Sequence, residues 1–376
     1  MENEKQFMYA VSAAGRINLI GEHIDYCGGK VMPAALSLKN TVYIRPNGTD
    51  RINLAWTDIP ARISLEIGRL NDYRKVKYAD YPAGVAYMWQ QAGHKLVGCD
   101  ILQDCSVPFG SGLSSSAAIE VSTMVALATV AGETPDLKQV ALLSQKAENE
   151  YCGVNCGIMD QFASAMGKKD HAILLDCKTL DYEYIPLDLG NYELIVANCN
   201  KPHALVESKY NERRAEVERA LEQLQKVYPS ISCLADLTPD MFERAKHVLS
   251  GKILDRATHV VYECARVAEA AEALKAGKIE TLARLINASH DSLSKLYEVT
   301  SREPDALAYA ARAQEGCIAS RMIGAGFGGC TISLVEKGKT DAFRENVGKA
   351  YREAVGYEAS FYDTTIEDGV NITKLS

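Results

Sequence analysis

The sequence has no excess of basic residues: over 376 residues its formal net charge is −8. No global positive field therefore recommends nucleic acid as a partner, although a local basic pocket for a small anion stays allowed. There is no run of about 18 uninterrupted apolar residues, which excludes a membrane-spanning helix. The opening MENEKQFMYA lacks the apolar core of a signal peptide. HExxH is absent, and Cys152 and Cys156, four apart, have no matching pair with which to build a zinc site. The eleven cysteines are odd in number and scattered, and some sit in apolar runs, such as Cys199 in LIVANCN. They read as reduced, buried thiols rather than a disulfide framework. Internal repeats, low-complexity tracts and long linkers are also missing. The expectation is a soluble, cytoplasmic protein.

What is present is an ordinary globular composition, 47% hydrophobic and 24% charged, in a chain long enough for two domains. Residues 8–45 read as strands and tight turns, with RINLIG, a Gly-Gly turn in YCGGKVMPAAL and the β-branched NTVYIRP. VAYMWQQAG (85–93) predicts a helix stopped at Gly93, and CDILQDCSVPFGSG a strand running into a Pro/Gly loop. One helix is expected from the serines at 114–116 to near Gly132. Another is expected from about Leu137 to Tyr151, where Leu137, Val140, Ala141, Ser144 and Ala147 keep helical spacing. HAILLDC, YELIVANCN and CTISLVE read as strands, and SKYNERRAEVERALEQLQKVY and most of 240–315 as helix. A composition shift near 180 divides the chain into 1–180 and 181–376. The prediction is an α+β protein of two packed domains with a cleft between them.

Three polar or Gly-rich clusters stand out. In GRINLIGEHIDYCGG (15–29), Arg16, Glu22, His23 and Asp25 crowd a strand end and its turn. Carboxylates accept from hydroxyls and imidazole donates or accepts, so the set suits a polyhydroxylated ligand; a turn tied by its own salt bridges is the equal alternative. PFGSGLSSSA (108–117) is not a Walker A loop, because no lysine follows the glycines, and not a hydrolase elbow, because Ser116 stands where glycine is needed. It remains a Gly-rich loop feeding a helix start, suited to phosphate; read alone, plain serine N-capping is the commoner explanation. GAGFGGC (324–330) precedes a strand rather than a helix and by itself signals only an unusual backbone. Asp160 falls at the start of a helix in IMDQFASAMG, off the Met159/Phe162/Ala163/Met166 stripe, where the helix dipole favours negative charge.

In this order and spacing the clusters resemble those of the GHMP kinases, and within them the galactokinase family. PFGSGLSSSA matches the family's nucleotide-phosphate loop without a gap, GRINLIGEHIDY its sugar segment, CGIMDQF the segment with its catalytic aspartate, and SRMIGAGFGGCTISLV its third motif. RATHVVYE and LYEVTSREPDAL are similar to family helices, so the resemblance spans roughly residues 10–335. It implies the two-domain GHMP fold with the active site in the interdomain cleft. It implies ATP-dependent phosphorylation of the anomeric hydroxyl of a hexose, D-galactose first, with Mg²⁺ and no nucleic-acid, membrane or obligate protein partner. Carried across, Asp160 would be base or orienting anion, with Arg16 beside it. Glu22, His23, Asp25, Gly157 and Tyr210 would bind the sugar. Gly110, Gly112, Ser114, Ser115 and Ser116 would cradle phosphates, Ser116 and Glu148 would hold Mg²⁺, and Tyr78 would pack on adenine. Ala14, Tyr78 and Pro304 depart from the family's usual Pro, Trp and Leu. HIDYCG, with Ile24 and Cys27, is nearer the N-acetylgalactosamine kinases, so that sugar stays open as an alternative, as does a non-catalytic galactose/ATP sensor.

Overall fold

The computed structural model describes residues 6–201 and 206–375. Its strands are Tyr9–Asn18 (β1), Lys30–Val31 (β2), Pro33–Pro46 (β3), Arg51–Trp56 (β4), Arg62–Glu66 (β5), Cys99–Cys105 (β6), His171–Asp176 (β7), Tyr182–Pro186 (β8), Tyr192–Asn198 (β9), Cys317–Met322 (β10), Cys330–Glu336 (β11), Ser360–Tyr362 (β12) and Asn371–Lys374 (β13). Its helices are Asp80–Gln91 (α1), Ser115–Val130 (α2), Leu137–Lys146 (α3), Met159–Met166 (α4), Val206–Leu224 (α5), Pro239–Ala245 (α6), Gly251–Lys275 (α7), Ile279–Ser292 (α8), Arg302–Arg312 (α9) and Thr340–Val355 (α10).

The β-branched runs near the start build a six-stranded sheet in the order β13-β1-β3-β6-β4-β5. All its pairs are antiparallel except β4 with β6. Across its inner face lies α2, buried at every position from Ala117 to Ala128. A helix buried all round has no solvent face to offer, so it becomes the centre of the packing. The helix sits against β1 and β3 on one side and α1, α3 and α4 on the other. Strands β2, β7 and β8 form a small sheet beside it, and β10-β11-β9-β12 make a third, covered by α8, α9 and α10. The last strand, β13, pairs with β1, so the chain ends within the sheet it began.

Two local expectations need correction, and one departure from the family pattern proves harmless. The helix foreseen at 85–93 starts five residues earlier, at Asp80, because Pro82 sits in the first turn, where a missing N–H costs nothing. The one foreseen through Tyr151 is α-helical only to Lys146 and then widens into a π-turn, Ala147–Cys152. Such bulges gather at functional sites, and this one carries Glu148. Finally, Pro304 stands in the first turn of α9, so the departure from leucine does not break that helix.

The glycine run between β10 and β11 owes its composition to a close approach. Gly324 has φ +78°, and a Cβ there would lie 2.8 Å from the Gly112 carbonyl oxygen. The loop after β10 thus lies directly on the loop before α2. Gly324→Ala is expected to destabilise the protein by about 2 kcal/mol, from the left-handed backbone and the backbone clash together. A thermal unfolding midpoint equal to that of the parent would contradict this account of the packing.

Candidate active site

Arg16 follows a register shift in the β1–β3 ladder between Ala14 and Arg16, an irregularity of the kind that re-aims a side chain. Its guanidinium is only 3% exposed. Nε and Nη2 donate to the two carboxylate oxygens of Asp160, each at 2.9 Å, and Nη1 donates to the Gly112 carbonyl at 2.6 Å. Asp160, in the first turn of α4, is 27% exposed and faces a cavity of about 210 Å³. A bidentate guanidinium fixes both position and plane of a carboxylate.

The Ser114 hydroxyl also donates to Asp160, at 2.5 Å. Ser114 has left-handed backbone (φ 63°) and makes no side-chain cap on α2. N-capping therefore does not explain this serine, because an N-cap hydroxyl normally works from extended backbone. Its turn sends the hydroxyl to Asp160, leaving the first-turn amides of α2 directed at the cavity mouth without capping from it.

The opposite wall comes from the segment after β1. Glu22 is buried; its oxygens accept from Asn18 Nδ2 (2.8 Å) and the Gly324 amide (2.8 Å), and Oε1 forms an ion pair with Arg321 at 2.7 Å. A carboxylate offers about four lone-pair sites, so one remains for a ligand. Burial pushes the His23 imidazole down to about 3, so it is neutral at physiological pH. Its Nε2 faces the Ala325 carbonyl at 3.1 Å, which fixes the proton there, and Nδ1 accepts from Tyr26 Oη at 2.8 Å. Tyr26 Oη in turn lies 2.8 Å from Tyr297 Oη. Arg213 holds the Tyr297 carbonyl at 2.8 Å, and Arg213 and Arg256 share Glu216 beneath it. The Tyr210 ring lies 5.5 Å from His23 and 5.4 Å from Tyr26. Asp25 closes this wall; burial and then the nearby Asp160 push its carboxyl up to about 7. Gly157 is needed where it stands, since a Cβ would come within 1.9 Å of Asp25 Oδ2.

Every residue given a catalytic, sugar, phosphate or cation role from the sequence lines this one cavity, and Tyr78, given the adenine role, does not. Tyr78 lines a larger space of about 770 Å³ that shares Gly110, Gly112, Ser115, Ser116 and Glu148 with the first. Trp56 and Phe109 line that space too and were missed. Phe109 adjoins Gly110 in the loop motif and is 54% exposed, a signal that sequence inspection had within reach. Trp56 ends β4, with its ring 6.0 Å from Tyr78, and nothing local in the sequence marks it.

Glu148 is buried on the π-turn and lines the same cavity as Ser116. Burial, and then Asp160, push its carboxyl upward. Among the described residues no group of three or more His, Cys, Asp or Glu is placed to hold a metal unaided. That donor set fits an ion which keeps several waters and binds through one or two carboxylates and substrate phosphates. No helix among the described residues is long and apolar enough to cross a membrane.

Three family models match the chain: the galactokinase galactose-binding signature at residues 2–46, the GHMP kinases N terminal domain at 80–168, and the GHMP kinases C terminal at 270–353. Galactokinase of Clostridium tetani is 46% identical over 357 residues, covering 94% of this chain and 91% of that protein. Galactokinase of Fusobacterium nucleatum is 44% identical over 364 residues, covering 96% and 94%. The crystal structure of Lactococcus lactis galactokinase complexed with galactose superposes with a TM-score of 0.95 at 40% identity, over 99% of this chain and 96% of that one. A mevalonate kinase structure, at 18% identity and TM-score 0.70, shares the fold.

The raised Asp25 carboxyl has a thermodynamic consequence. Its folded-state pKa of about 7 lies above the ordinary aspartate value of about 3.9 in an unfolded chain. Ionising it therefore costs the folded state, and the cost grows as pH rises through about 7. In the ligand-free protein, Asp25→Asn is expected to raise the melting temperature more at pH 8 than at pH 5. Equal shifts at the two pH values would show that Asp25 is not desolvated.

Proposed function

This chain belongs to the galactokinase family of GHMP kinases, and we propose that it transfers the γ-phosphoryl group of ATP to the anomeric hydroxyl of D-galactose, giving α-D-galactose 1-phosphate. The observation that carries the reading is the Arg16–Asp160 pair, set between the first turn of α2 and the Glu22–His23–Asp25 wall. The sugar occupies the smaller cavity and the nucleotide base the larger, with the phosphates over Gly110, Gly112, Ser115 and Ser116 at their junction. Trp56, Tyr78 and Phe109 supply the aromatic surface for adenine.

Phosphoryl transfer runs through a loose transition state, so alignment and charge stabilisation do most of the catalysis. Three of the acceptor sites on Asp160 are taken by Arg16 and Ser114. The one left over is directed at the cavity, where it accepts the hydrogen of the anomeric hydroxyl and aims that oxygen at the γ-phosphorus. The oxygen–phosphorus bond forms as the bond to the β-phosphate oxygen breaks; ADP leaves with that electron pair, and the hydroxyl proton passes to Asp160. Arg16 stabilises the negative charge gathering beside it. Glu22, Asp25, the Gly157 backbone and Tyr210 hold the other hydroxyls, while neutral His23, whose two ring nitrogens are taken by Tyr26 and the Ala325 carbonyl, lines the cavity beside them. Ser116 and Glu148 would hold Mg²⁺, which when bound offsets charge on the transferring phosphates.

The substrate reading bears on Ile24 and Cys27. Both are buried, Ile24 against Gly29, and neither lines the cavity. Their likeness to the N-acetylgalactosamine kinases is thus a feature of the core beneath the turn and gives no contact to a C2 substituent. We keep 1–180 and 181–376 as the domain division, with β13 crossing back to the first. We place the enzyme in the cytoplasm, where ATP is available and where its eleven free thiols stay reduced. It works on its two small substrates without an obligate protein partner.

ATP turnover by purified protein with Mg²⁺, offered galactose and N-acetylgalactosamine in parallel, should show strong preference for galactose. Preference for the acetylated sugar would overturn the substrate, and no turnover on either would favour the sensor. Asp160→Asn should lower kcat by roughly 10²–10⁴-fold while nucleotide affinity changes little. Near-parental kcat would remove Asp160 from the chemistry.

A further inference from the structure

Behind the phosphate loop lies a buried polar cluster to which neither the resemblance nor the mechanism gives a role. Glu120 and Gln161 are both fully buried. Glu120 falls one helical turn beyond Ser116 on α2, and Gln161 directly follows Asp160 on α4. The Gln161 side-chain amide donates to Glu148 Oε2 at 2.7 Å and to Glu120 Oε2 at 3.0 Å.

We propose that Gln161 is a positioning residue, which sets the Glu148 carboxylate relative to Asp160 and so shapes the divalent-cation site. An amide nitrogen carries two hydrogens, and here both are used on carboxyl oxygens. Turned over, the same side chain would set a carbonyl oxygen against both carboxyls, so its orientation is determined by its neighbours. Gln161 Oε1 and Glu120 Oε1 are buried without partners. The cluster therefore carries unmet acceptors in the interior, a cost of the kind interiors avoid. Buried polar groups in that condition persist where they hold something in place. What is held is a three-way junction of α2 through Glu120, the π-turn through Glu148, and α4 through Gln161. Since Asp160 is the adjacent residue, the same short helix aims the group that handles the sugar hydroxyl and the carboxylate that meets the cation. Glutamine supplies this grip without adding charge, which a lysine at the same place would do.

The inference rests on the kinase reading above, and the test separates the two. Mn²⁺ binding in the presence of a non-hydrolysable ATP analogue is followed by the electron paramagnetic resonance of free Mn²⁺. Galactose binding is measured by calorimetry and kcat by turnover. Gln161→Met keeps the volume and removes both donors; it should weaken Mn²⁺ binding by roughly 10–100-fold, the usual effect of losing a partner of a metal ligand. Galactose affinity should stay near the parental value. Should that variant not fold, as judged by thermal unfolding, Gln161→Asn is read instead. It keeps the donors but withdraws them by one methylene, and should lose Mn²⁺ affinity to a smaller degree. Parental Mn²⁺ affinity in a folded variant overturns the proposal, as does equal loss of galactose and Mn²⁺ binding, which marks a merely structural role. A parent protein that does not phosphorylate galactose overturns the kinase reading instead.

Discussion

A buried guanidinium has to be satisfied, and in this fold that requirement assembles the site. Arg16 reaches Asp160, 144 residues on, and Gly112, 96 residues on. Removing one partner of a buried ion pair typically costs about 3–5 kcal/mol, because the other is left charged in a poor solvent. The chain therefore has a strong energetic reason to bring strand β1, the loop before α2 and the start of α4 to one point. Ser114 completes the arrangement by donating to the same carboxylate. A carboxylate so constrained retains little rotational freedom, which is the condition for aligning a nucleophile.

A second buried pair does for the two halves of the chain what the first does within one. Glu22 meets Arg321, itself fully buried, and also takes the amide of Gly324. His23 adds its bond to the Ala325 carbonyl. The sugar wall is thus fastened to the glycine run between β10 and β11, and that run rests on the phosphate loop. Glu22 is thus a scaffold group in addition to the ligand role proposed for it. Its loss would be felt in both roles, so a sugar KM alone would not isolate the second.

How much of this was legible in the sequence depends on the range of the interaction. The phosphate loop, Asp160 and the Glu-His-Asp turn were visible, because each is a contiguous run whose chemistry is carried by local residue types. The helix that follows the serines was likewise visible, although its burial on all sides was not. The bond from Ser114 to Asp160 was not legible, because it depends on a left-handed turn that only the packed loop imposes. The π-turn at Glu148 shifts register by one residue, below what periodicity can detect. Trp56 and the return of β13 to β1 arise from contacts between distant segments and leave no local trace. Gln161 and Glu120 looked like ordinary polar positions on helices. Their burial becomes apparent only when α2, α4 and the π-turn meet.

The charge balance of the cleft follows from the same packing. Asp160, Asp25 and Glu148 line it with Glu120 buried behind them, and Arg16 pairs directly with Asp160. Burial and mutual repulsion hold Asp25 and Glu148 in unfavourable states while the cleft is free of ligand. Sugar hydroxyls donating to Asp25, and a cation beside Glu148, would each relieve one of these costs. Ligands that relieve strain in the folded state alone stabilise that state by mass action. Part of the folding free energy is in this way withheld until substrate arrives, and the groups that would most destabilise the empty cleft are those best placed to recognise what fills it. A more stable empty cleft, with amides in place of these acids, would have little left with which to bind.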